Sequence, residues 1–264
     1  MSEKDRGEDM LPLPLLSMTG DCQWQRITLG MSASRTYRLS GERGTSYLKV
    51  QSLVSDDCLS DERDRIVWLQ GKLPVPKVLF YDRDESNEYL LLSEVAGVNA
   101  SDKIYEPMLP QFMEQLAAGL KVVHDVDIAG CPFDRTLNIV LEEARRRTEQ
   151  GLVDEDDFDE ERQGVKAAAL YNELLKRRPQ TEELVFTHGD YCLPNVILHQ
   201  GAFSGLIDWG RGGIADKYQD LALAVRSITH NFGESWVPLF LEAYGLQEAD
   251  KAKLEFYRVL DEFF

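Results

Sequence analysis

The spacing of apolar and polar residues changes near residue 94. Before it, short apolar runs and alternating apolar and polar residues predict strands at 24–28, 35–40, 45–51, 78–81 and 88–93. The second and third of these flank Gly41-Glu42-Arg43-Gly44, a turn sequence that predicts a hairpin. One helix is expected in this part, over Leu59–Leu69, because charged residues separate its apolar positions and Gly71 with Pro74 and Pro76 closes it.

After Gly97 the apolar residues recur at helical spacing. One predicted helix carries Phe112, Leu116, Leu120 and Val123 on one face, and a later one carries Tyr218, Leu221, Val225 and Ile228. Short strands are predicted at 184–187, 196–199 and 203–207. The whole pattern predicts an α+β, bilobal fold: an N-terminal antiparallel β-sheet lobe with one helix at 1–95, a hinge at about 93–97, and a larger, mainly helical C-terminal lobe at 96–264.

Charge limits the partners of this protein. The 264 residues include 46 Asp and Glu against 29 Lys and Arg, a formal net charge of −17. A surface this acidic repels phosphate backbones and anionic membranes and attracts cations. We therefore expect no nucleic acid and no membrane among the partners, apart from a single nucleotide held by local groups and magnesium.

The cysteines and the N-terminal sequence indicate the compartment. Four cysteines are scattered singly, with no C-x-x-C pair, so we interpret them as free thiols. The polar start and the prolines at 12 and 14 argue against a signal peptide. No apolar stretch reaches the roughly 18 residues that a membrane helix requires. These features favour a cytoplasmic protein.

The most specific motif lies between residues 188 and 210. His188-Gly189-Asp190 is followed by Asn195 and, thirteen residues later, by Asp208 in Ile207-Asp208-Trp209-Gly210. In phosphoryl transfer this spacing suits one Asp that accepts or orients the hydroxyl proton of the substrate, an Asn that binds magnesium, and a second Asp that bridges the metal to the phosphates. A hairpin around Gln200-Gly201 would bring Asp208 beside Asn195. Capping and turn-forming roles are the alternative for these three side chains.

A kinase also needs a cation for the nucleotide phosphates and an acid that holds this cation. Lys49, in the strand at 45–51, and Glu62, on the predicted helix, can form such a pair, as a strand Lys and a helix Glu do in protein kinases. The loop at 30–34 offers backbone N–H groups and a hydroxyl to the phosphates. A solvated surface residue is the alternative for Lys49. The sequence contains no G-x-x-x-x-G-K-[ST] and no G-x-G-x-x-G, which excludes a P-loop or dinucleotide-binding motif.

The histidines divide into two groups. His188, inside the motif, is interpreted as a positioning residue that hydrogen-bonds nearby backbone. The other three, His124, His199 and His230, have no triad or metal-ligand spacing. We expect these three on the surface or in packing.

At these residues the sequence resembles the aminoglycoside 3′-phosphotransferase family, the kanamycin and neomycin kinases, whose fold is that of eukaryotic protein kinases. The likeness extends over nearly the whole chain apart from the N-terminal segment. The matching segments are 30–32, 47–49, 68, 71–78, 93–94, 131–133, 187–190, 192–195, 203–205, 207–208, 210–211, 215–216, 218–220 and 260–264.

The resemblance implies a role for each matching site residue. The residues implied for ATP are Ser32, Tyr47, Lys49, Glu62, Ser93 and Val95. Tyr47 would stack on adenine, the backbone of Ser93 and Val95 would hydrogen-bond its edge, and Ser32 and Lys49 would contact the phosphates. Asn195 and Asp208 would bind Mg²⁺. Asp190 would be the catalytic carboxylate for the 3′-hydroxyl of the drug.

An acidic insert and the extreme C-terminus bind the polycationic drug in the family that this sequence resembles. The corresponding residues are Asp157, Asp159, Glu160, Asp261, Glu262 and the carboxylate of Phe264, together with Arg211 from the matching Gly210-Arg211. Independently of the resemblance, seven acids within 154–162 suit the attraction of a substrate with several ammonium groups. A purely solubilising surface is the alternative for this acidic run.

The sequence therefore predicts an ATP- and Mg²⁺-dependent phosphotransferase that acts on the 3′-hydroxyl of aminoglycosides, confers antibiotic resistance, and is a monomer or weak dimer. One alternative keeps the fold and changes the acceptor to choline, homoserine, a macrolide or a sugar amine. Another is a nucleotide-binding pseudokinase, which would be expected to have lost Lys49, Asp190, Asn195 or Asp208. All four are present.

Overall fold

Strands dominate the first part of the chain, as the alternation of apolar and polar residues predicts. The computed structural model describes residues 11–27, 34–55 and 58–264. Its first strands are β1 (Gln23–Ile27), β2 (Arg35–Gly41), β3 (Gly44–Ser52), β4 (Val78–Arg83) and β5 (Asn87–Ser93). They form an antiparallel sheet in the order β1-β2-β3-β5-β4, so β3 is its central strand. Gly44 closes the predicted β2-β3 hairpin with a φ of 99°, in the left-handed region that favours glycine.

Two helices accompany this sheet in the described residues, one more than the sequence predicts. α2 (Leu59–Leu69) has the predicted bounds, whereas α1 (Leu13–Thr19) is not predicted, because Pro12 and Pro14 indicate a break. Proline is tolerated at the start of a helix, where the N–H groups have no intrahelical partner, and Pro12 is the N-cap residue of α1. The fully buried Leu15 joins α1 to the core on one face of the sheet.

Helices dominate the second part of the chain. They are α3 (Leu109–His124), α4 (Leu137–Gln150), α5 (Ala167–Lys176), α6 (Tyr218–Phe232), α7 (Val237–Tyr244) and α8 (Lys251–Asp261). The four residues predicted to share one face of α3 are at most 2% exposed, and on α6 Tyr218, Leu221 and Ile228 are buried. The helical spacing of apolar residues therefore marks the faces that form the core of this part.

Short strands lie between these helices. They are β6 (Val98–Asn99), β7 (Leu184–Thr187), β8 (Val196–His199), β9 (Ala202–Leu206) and β10 (Gly213–Asp216). β6, β8 and β9 form one small sheet, and β7 pairs with β10 in another. Gln200 and Gly201, with φ values of 52° and 79°, turn the chain between β8 and β9, which confirms the predicted hairpin.

The described residues form two compact units. The first holds those up to Ala96 together with Leu206–Gly210, and the second holds Gly97–Gly205 and Arg211–Phe264. The sequence prediction draws a single boundary, near residue 95, and does not anticipate the return of Leu206–Gly210 to the first unit. There the N–H of Leu206 donates to the carbonyl oxygen of Pro74 at 3.3 Å, and Trp209 is fully buried. Within the described part of the chain, no helix has the length and apolar character needed to cross a membrane.

Candidate active site

Lys49 lies at the centre of a charged cluster in the first unit. It stands on the central strand β3, and its Nζ atom donates to both carboxylate oxygens of Glu62 on α2, at 2.9 and 2.7 Å. The same Nζ lies 3.1 Å from Oδ1 of Asp208. The Lys49 side chain is 12% exposed and that of Glu62 is 4% exposed. Lys49 is therefore held between two carboxylates and is not a solvated surface residue.

The surroundings of this cluster fix its charge state. Burial alone would lower the pKa of Lys49, but the carboxylates of Asp208 and Glu62 outweigh it, and the pKa lies above its ordinary value. Burial raises the pKa of Glu62, while the ammonium group of Lys49 opposes that change. Lys49 thus stays a cation at neutral pH, which is the state that an anionic phosphate requires.

Asp208 follows β9 in an unusual backbone conformation. Its φ is 65°, a left-handed value that few residues other than glycine adopt, although aspartate tolerates it better than most. Its side chain is 43% exposed. A strained backbone of this kind persists only where the surrounding structure holds it in place, and it is frequent at functional sites.

Asp190 and Asn195 are brought together in the second unit by the loop between β7 and β8. The Nδ2 atom of Asn195 donates to Oδ2 of Asp190 at 2.9 Å and to its carbonyl oxygen at 3.1 Å, and it lies 3.3 Å from Sγ of Cys192. Burial, and to a smaller degree the carboxylate of Asp190, raises the pKa of Cys192, so its sulfur stays a neutral thiol. These contacts orient the Asp190 carboxylate and leave Oδ1 as the metal-binding atom that Asn195 can offer.

A fully buried carboxylate, Asp220 at the start of α6, fixes the backbone of this loop. It accepts the N–H groups of His188 and Gly189 at 2.7 and 2.8 Å. His124 lies 3.1 Å from the same carboxylate and 2.7 Å from the hydroxyl of Tyr244, so this histidine has a packing role. No role for Asp220 follows from the sequence motifs. An acid directly beside the apolar face of a helix is the signal that could have found it.

His188 and Gly189 have conformational roles in the same loop. Nδ1 of His188 accepts the N–H of Asp190 at 3.3 Å, which is the backbone contact predicted for this histidine. Gly189 has a φ of 84°, and a Cβ atom there would lie 2.4 Å from the carbonyl oxygen of Arg211. A larger residue would therefore displace the loop that carries Asp190.

The acidic segment at residues 154–162 is joined to the end of α8 by hydrogen bonds and ion pairs. The N–H of Asp159 donates to both carboxylate oxygens of Glu262, at 3.2 and 3.1 Å. Arg162 donates to Asp159 at 3.0 Å, to Glu262 at 2.9 Å and to Glu255 at 2.7 Å. Burial raises the pKa of Glu262, and the charge of Asp159 adds to the effect. Two of the carboxylates implied for drug binding are thus already paired with an arginine.

Asp261 also has arginine partners. Its two carboxylate oxygens lie 2.9 Å from Arg211 and 2.7 Å from Arg226. Phe264 lies close to this pair, with the Arg211 guanidinium 5.6 Å from the centre of its ring. Sequence reasoning missed Arg226, which pairs with a residue 35 positions further along the chain and so leaves no local signal.

Asp157 and Glu160 differ from these paired acids. Both are exposed, and in the described residues neither forms an ion pair. Partial burial raises the pKa of Asp157, and the neighbouring charge of Asp154 adds to it. Among the acids implied for the acceptor, these two are the ones available to an incoming cation without displacing an arginine.

The three residues implied for adenine lie on or directly after the sheet of the first unit. Tyr47 is half-buried on β3, and Ser93 ends β5. The N–H of Ser93 donates to the carbonyl oxygen of Lys77 at 2.9 Å, so the Ser93 carbonyl is the backbone group it can offer to a nucleotide. Val95 follows in the segment after β5. Ser32 and most of its loop lie outside the described residues.

The chain is similar to known proteins in both sequence and fold. The model of the phosphotransferase enzyme family (APH) matches residues 23–257. The chain is 40% identical to the aminoglycoside 3′-phosphotransferase of Niallia circulans over 255 residues, which cover 96% of this chain and 97% of the relative. By both measures, the chain belongs to the aminoglycoside phosphotransferase family, as the sequence motifs indicate.

Two solved structures are similar to this chain over nearly its whole length. The crystal structure of aminoglycoside-3′-phosphotransferase of type VIII has a TM-score of 0.84 at 37% identity, covering 95% of this chain and 97% of that one. The aminoglycoside phosphotransferase APH(3″)-Id from Streptomyces rimosus, solved in complex with ADP and streptomycin, has a TM-score of 0.82 at 30% identity, covering 94% and 95%. These likenesses confirm the predicted kinase-like α+β fold.

Proposed function

We propose that the protein catalyses the ATP-dependent phosphorylation of the 3′-hydroxyl of aminoglycoside antibiotics such as kanamycin and neomycin, and so confers resistance to them. The observation that carries the proposal is the placement of Lys49 between Glu62 and Asp208, in a chain 40% identical to an aminoglycoside 3′-phosphotransferase. Burying a cation between two acids carries a desolvation cost, and a function that requires the charge explains why it is kept. Binding the phosphates of a nucleotide is such a function.

Asp190 is the proposed general base. Its carboxylate, oriented by Asn195, accepts the proton of the 3′-hydroxyl as the oxygen of that hydroxyl bonds to the γ-phosphorus and the bond from phosphorus to ADP breaks. Asp220 contributes by holding the backbone at His188 and Gly189, two residues that precede the base. The role of the protein is thus mainly to position the hydroxyl and to stabilise charge.

Asn195 and Asp208 are the residues proposed to hold magnesium. Both offer oxygen atoms, which this hard cation prefers, and the amide nitrogen of Asn195 is already occupied, which leaves Oδ1 for a ligand. When bound, magnesium neutralises charge on the β- and γ-phosphates. Each of the two residues therefore offers an oxygen ligand suited to the metal.

ATP is the proposed phosphoryl donor, supported by the ADP bound to the relative from Streptomyces rimosus. Lys49 contacts the phosphates in this proposal, with Ser32 from the loop at 30–34. Tyr47 stacks on adenine, and the backbone of Ser93 and Val95 recognises its edge. The occupied N–H of Ser93 assigns the contact at that residue to its carbonyl oxygen.

The acceptor is proposed to bind through the acids near the end of α8. Asp157 and Glu160 meet its ammonium groups directly, because neither forms an ion pair in the described residues. Asp261 and Glu262 receive an ammonium group only by sharing or exchanging an arginine partner. Arg211 then acts by placing Asp261, and the Phe264 carboxylate adds a further negative charge.

The test is a coupled assay of ADP release with kanamycin, neomycin, streptomycin, choline and homoserine as acceptors. We expect kanamycin and neomycin to be phosphorylated with the highest kcat/KM, and 3′-deoxykanamycin, the matched control, to give no product. Turnover of 3′-deoxykanamycin, or a preference for streptomycin, would move the reaction to another hydroxyl. A preference for choline or homoserine would overturn the proposed acceptor class. Cytoplasmic localisation and a monomeric or weakly dimeric state stay predictions.

A further inference from the structure

The helix that carries Glu62 is capped by a residue from the sheet. α2 begins at Leu59, and its N-cap residue, Cys58, makes no side-chain cap hydrogen bond. Instead, the N–H of Leu59 donates to Oε2 of Glu88 at 2.7 Å. Glu88 lies on β5 and is 3% exposed. A buried carboxylate from a different element therefore fixes the first turn of α2.

Glu88 has a second partner on the neighbouring strand. The hydroxyl of Tyr81 on β4 donates to Oε1 of Glu88 at 2.5 Å. Burial raises the pKa of Tyr81, and the charge of Glu88 adds to it, so this hydroxyl remains a donor. The Arg63 guanidinium, on α2, lies 4.1 Å from the centre of the Tyr81 ring. Glu88 and Tyr81 thus bind α2 to two strands of the sheet.

This cap matters for the Lys49–Glu62 pair because it lies close to Glu62 along α2. Glu62 stands three residues after Leu59, about one helical turn away at roughly 1.5 Å per residue. The carboxylate of Glu88 also faces the positive end of the helix dipole, which strengthens the contact. If the first turn of α2 loosens, Glu62 moves with it, and Lys49 loses the partner that holds it on the side of α2.

We propose that Glu88 is a positioning residue for phosphoryl transfer, which fixes the start of α2 so that Glu62 holds Lys49 in its phosphate-binding position. This inference rests on the role of Lys49 under the proposed function. In the described residues no hydrogen bond or ion pair joins Glu88 to Lys49. Glu88 acts through the Leu59 N–H and through Glu62.

The experiment measures KM for ATP, KM for kanamycin and melting temperature in Glu88→Ala, Glu62→Ala, their double variant and Lys49→Ala. Loss of a helix cap of this kind should raise KM for ATP about threefold to tenfold in Glu88→Ala, while KM for kanamycin stays within about twofold. Because Glu88 acts through Glu62, the double variant should have the KM for ATP of Glu62→Ala alone. Glu88→Gln keeps an oxygen acceptor for Leu59 and should stay close to the wild type.

Asp84 provides a matched control in the same unit. Its carboxylate accepts two backbone N–H groups, of Ser86 and Asn87, and the hydroxyl of Tyr89 at 2.6 Å, so it resembles Glu88 in its partners. It lies in the turn between β4 and β5, and none of these partners belongs to α2. Asp84→Ala should lower the melting temperature and leave KM for ATP unchanged.

Three results would overturn the inference. In the first, Glu88→Ala lowers the melting temperature but leaves KM for ATP unchanged, as Asp84→Ala does. In the second, the effects of Glu88→Ala and Glu62→Ala on KM multiply in the double variant. In the third, Lys49→Ala and Glu62→Ala themselves leave KM for ATP unchanged, which identifies the failure as one of the proposed nucleotide site.

A second variant keeps the test decisive if Glu88→Ala does not fold. Tyr81→Phe removes the hydroxyl that orients Glu88 and keeps the ring under Arg63. It should raise KM for ATP about twofold, without a change in KM for kanamycin. An unchanged KM for ATP in Tyr81→Phe, with Glu62→Ala impaired, would also count against a positioning role.

Discussion

The two charged regions of this molecule differ in how their charged side chains are paired and exposed. In the first unit, Lys49 is 12% exposed and has two carboxylate partners at fixed distances. In the second unit, the acids implied for the drug are numerous, and their side chains range from exposed at Asp157 and Glu160 to 9% and 4% exposed at Asp261 and Glu262. Several of them are shared with arginines, as Asp261 is with Arg211 and Arg226.

This difference has physical consequences for each region. Removing one partner of a buried ion pair leaves an uncompensated charge, so the structure around Lys49 tolerates little change. In the second unit Arg162 and Glu262 are buried just as deeply, whereas Asp157 and Glu160 are exposed and have no ion pair in the described residues, so these two are screened by salt and open to an incoming polycation. A buried, paired cation suits the phosphates of a nucleotide, and exposed acids without an ion pair in the described residues suit a polycationic acceptor.

The largest effect is expected at Asp190, on the loop between β7 and β8 of the second unit. Asp190→Ala should lower kcat by about 10²–10⁴, because the hydroxyl loses its base, while nucleotide affinity stays within a few-fold. Asp190→Asn is the matched control: it can still accept a hydrogen bond from Asn195 but cannot take the proton, and it should lose activity to a similar degree. A kcat within about threefold of the wild type in either variant would remove Asp190 from the chemistry.

The next largest effect is expected at Lys49, because removing this buried cation should reduce both stability and nucleotide binding. Lys49→Ala leaves Glu62 buried without its cation, so the free energy of unfolding should fall by about 2–4 kcal/mol, and KM for ATP should rise far more than KM for the drug. Glu62→Ala should echo the KM effect more weakly. The double variant Lys49→Met with Glu62→Gln is the control, since it removes both charges and should recover stability but not ATP binding. Wild-type kinetics in Lys49→Ala would contradict the nucleotide half of the proposed function.

The fold was predictable wherever local pattern decides structure. Leu59–Leu69, Leu184–Thr187 and Val196–His199 have the predicted bounds, because turn residues and apolar spacing mark both ends. α1 was not predictable in this way, since Pro12 and Pro14 favour either a break or a helix start, and the burial of Leu15 against the sheet decides between them.

The site was predictable where residues are close in sequence. The motif singles out Asp190 and Asn195 as site residues, and the structure joins their side chains by a hydrogen bond that the motif does not predict. The partners of the acidic residues could not be predicted, because Arg162 and Glu262 stand 100 positions apart and an ion pair between loops leaves no periodic signal. For the same reason, the sequence does not indicate that Glu88 caps the helix that carries Glu62.

Raising the salt concentration should have a smaller, several-fold effect, on KM for the drug more than on KM for ATP. Between about 50 and 300 mM salt, KM for a drug with four or five ammonium groups should rise several-fold, because salt shortens the distance, about 10 Å at 0.1 M, over which exposed charges attract each other. KM for ATP should change less, since Lys49 is buried and metal and backbone contacts contribute. Steady-state kinetics at constant free magnesium measure both values. An equal rise in both would mean that the phosphate site is as exposed to solvent as the acceptor surface.

The smallest predicted effect tests whether single acids of the 154–162 segment contact the drug directly or act only through the negative field of the whole segment. Glu160→Gln and Asp159→Asn each remove one negative charge from the same segment, so their long-range effects on a polycation should match. They differ in that Asp159 is paired with Arg162, whereas Glu160 is exposed and has no ion pair within the described chain. We expect Glu160→Gln to raise KM for the drug about twofold to threefold and Asp159→Asn to raise it by less, with melting temperatures recorded to detect any loosening of the segment. Equal effects that vanish together at high salt would show that the segment acts only through its field, and a larger effect of Asp159→Asn would show that the arginine-paired carboxylate is the one that meets the drug.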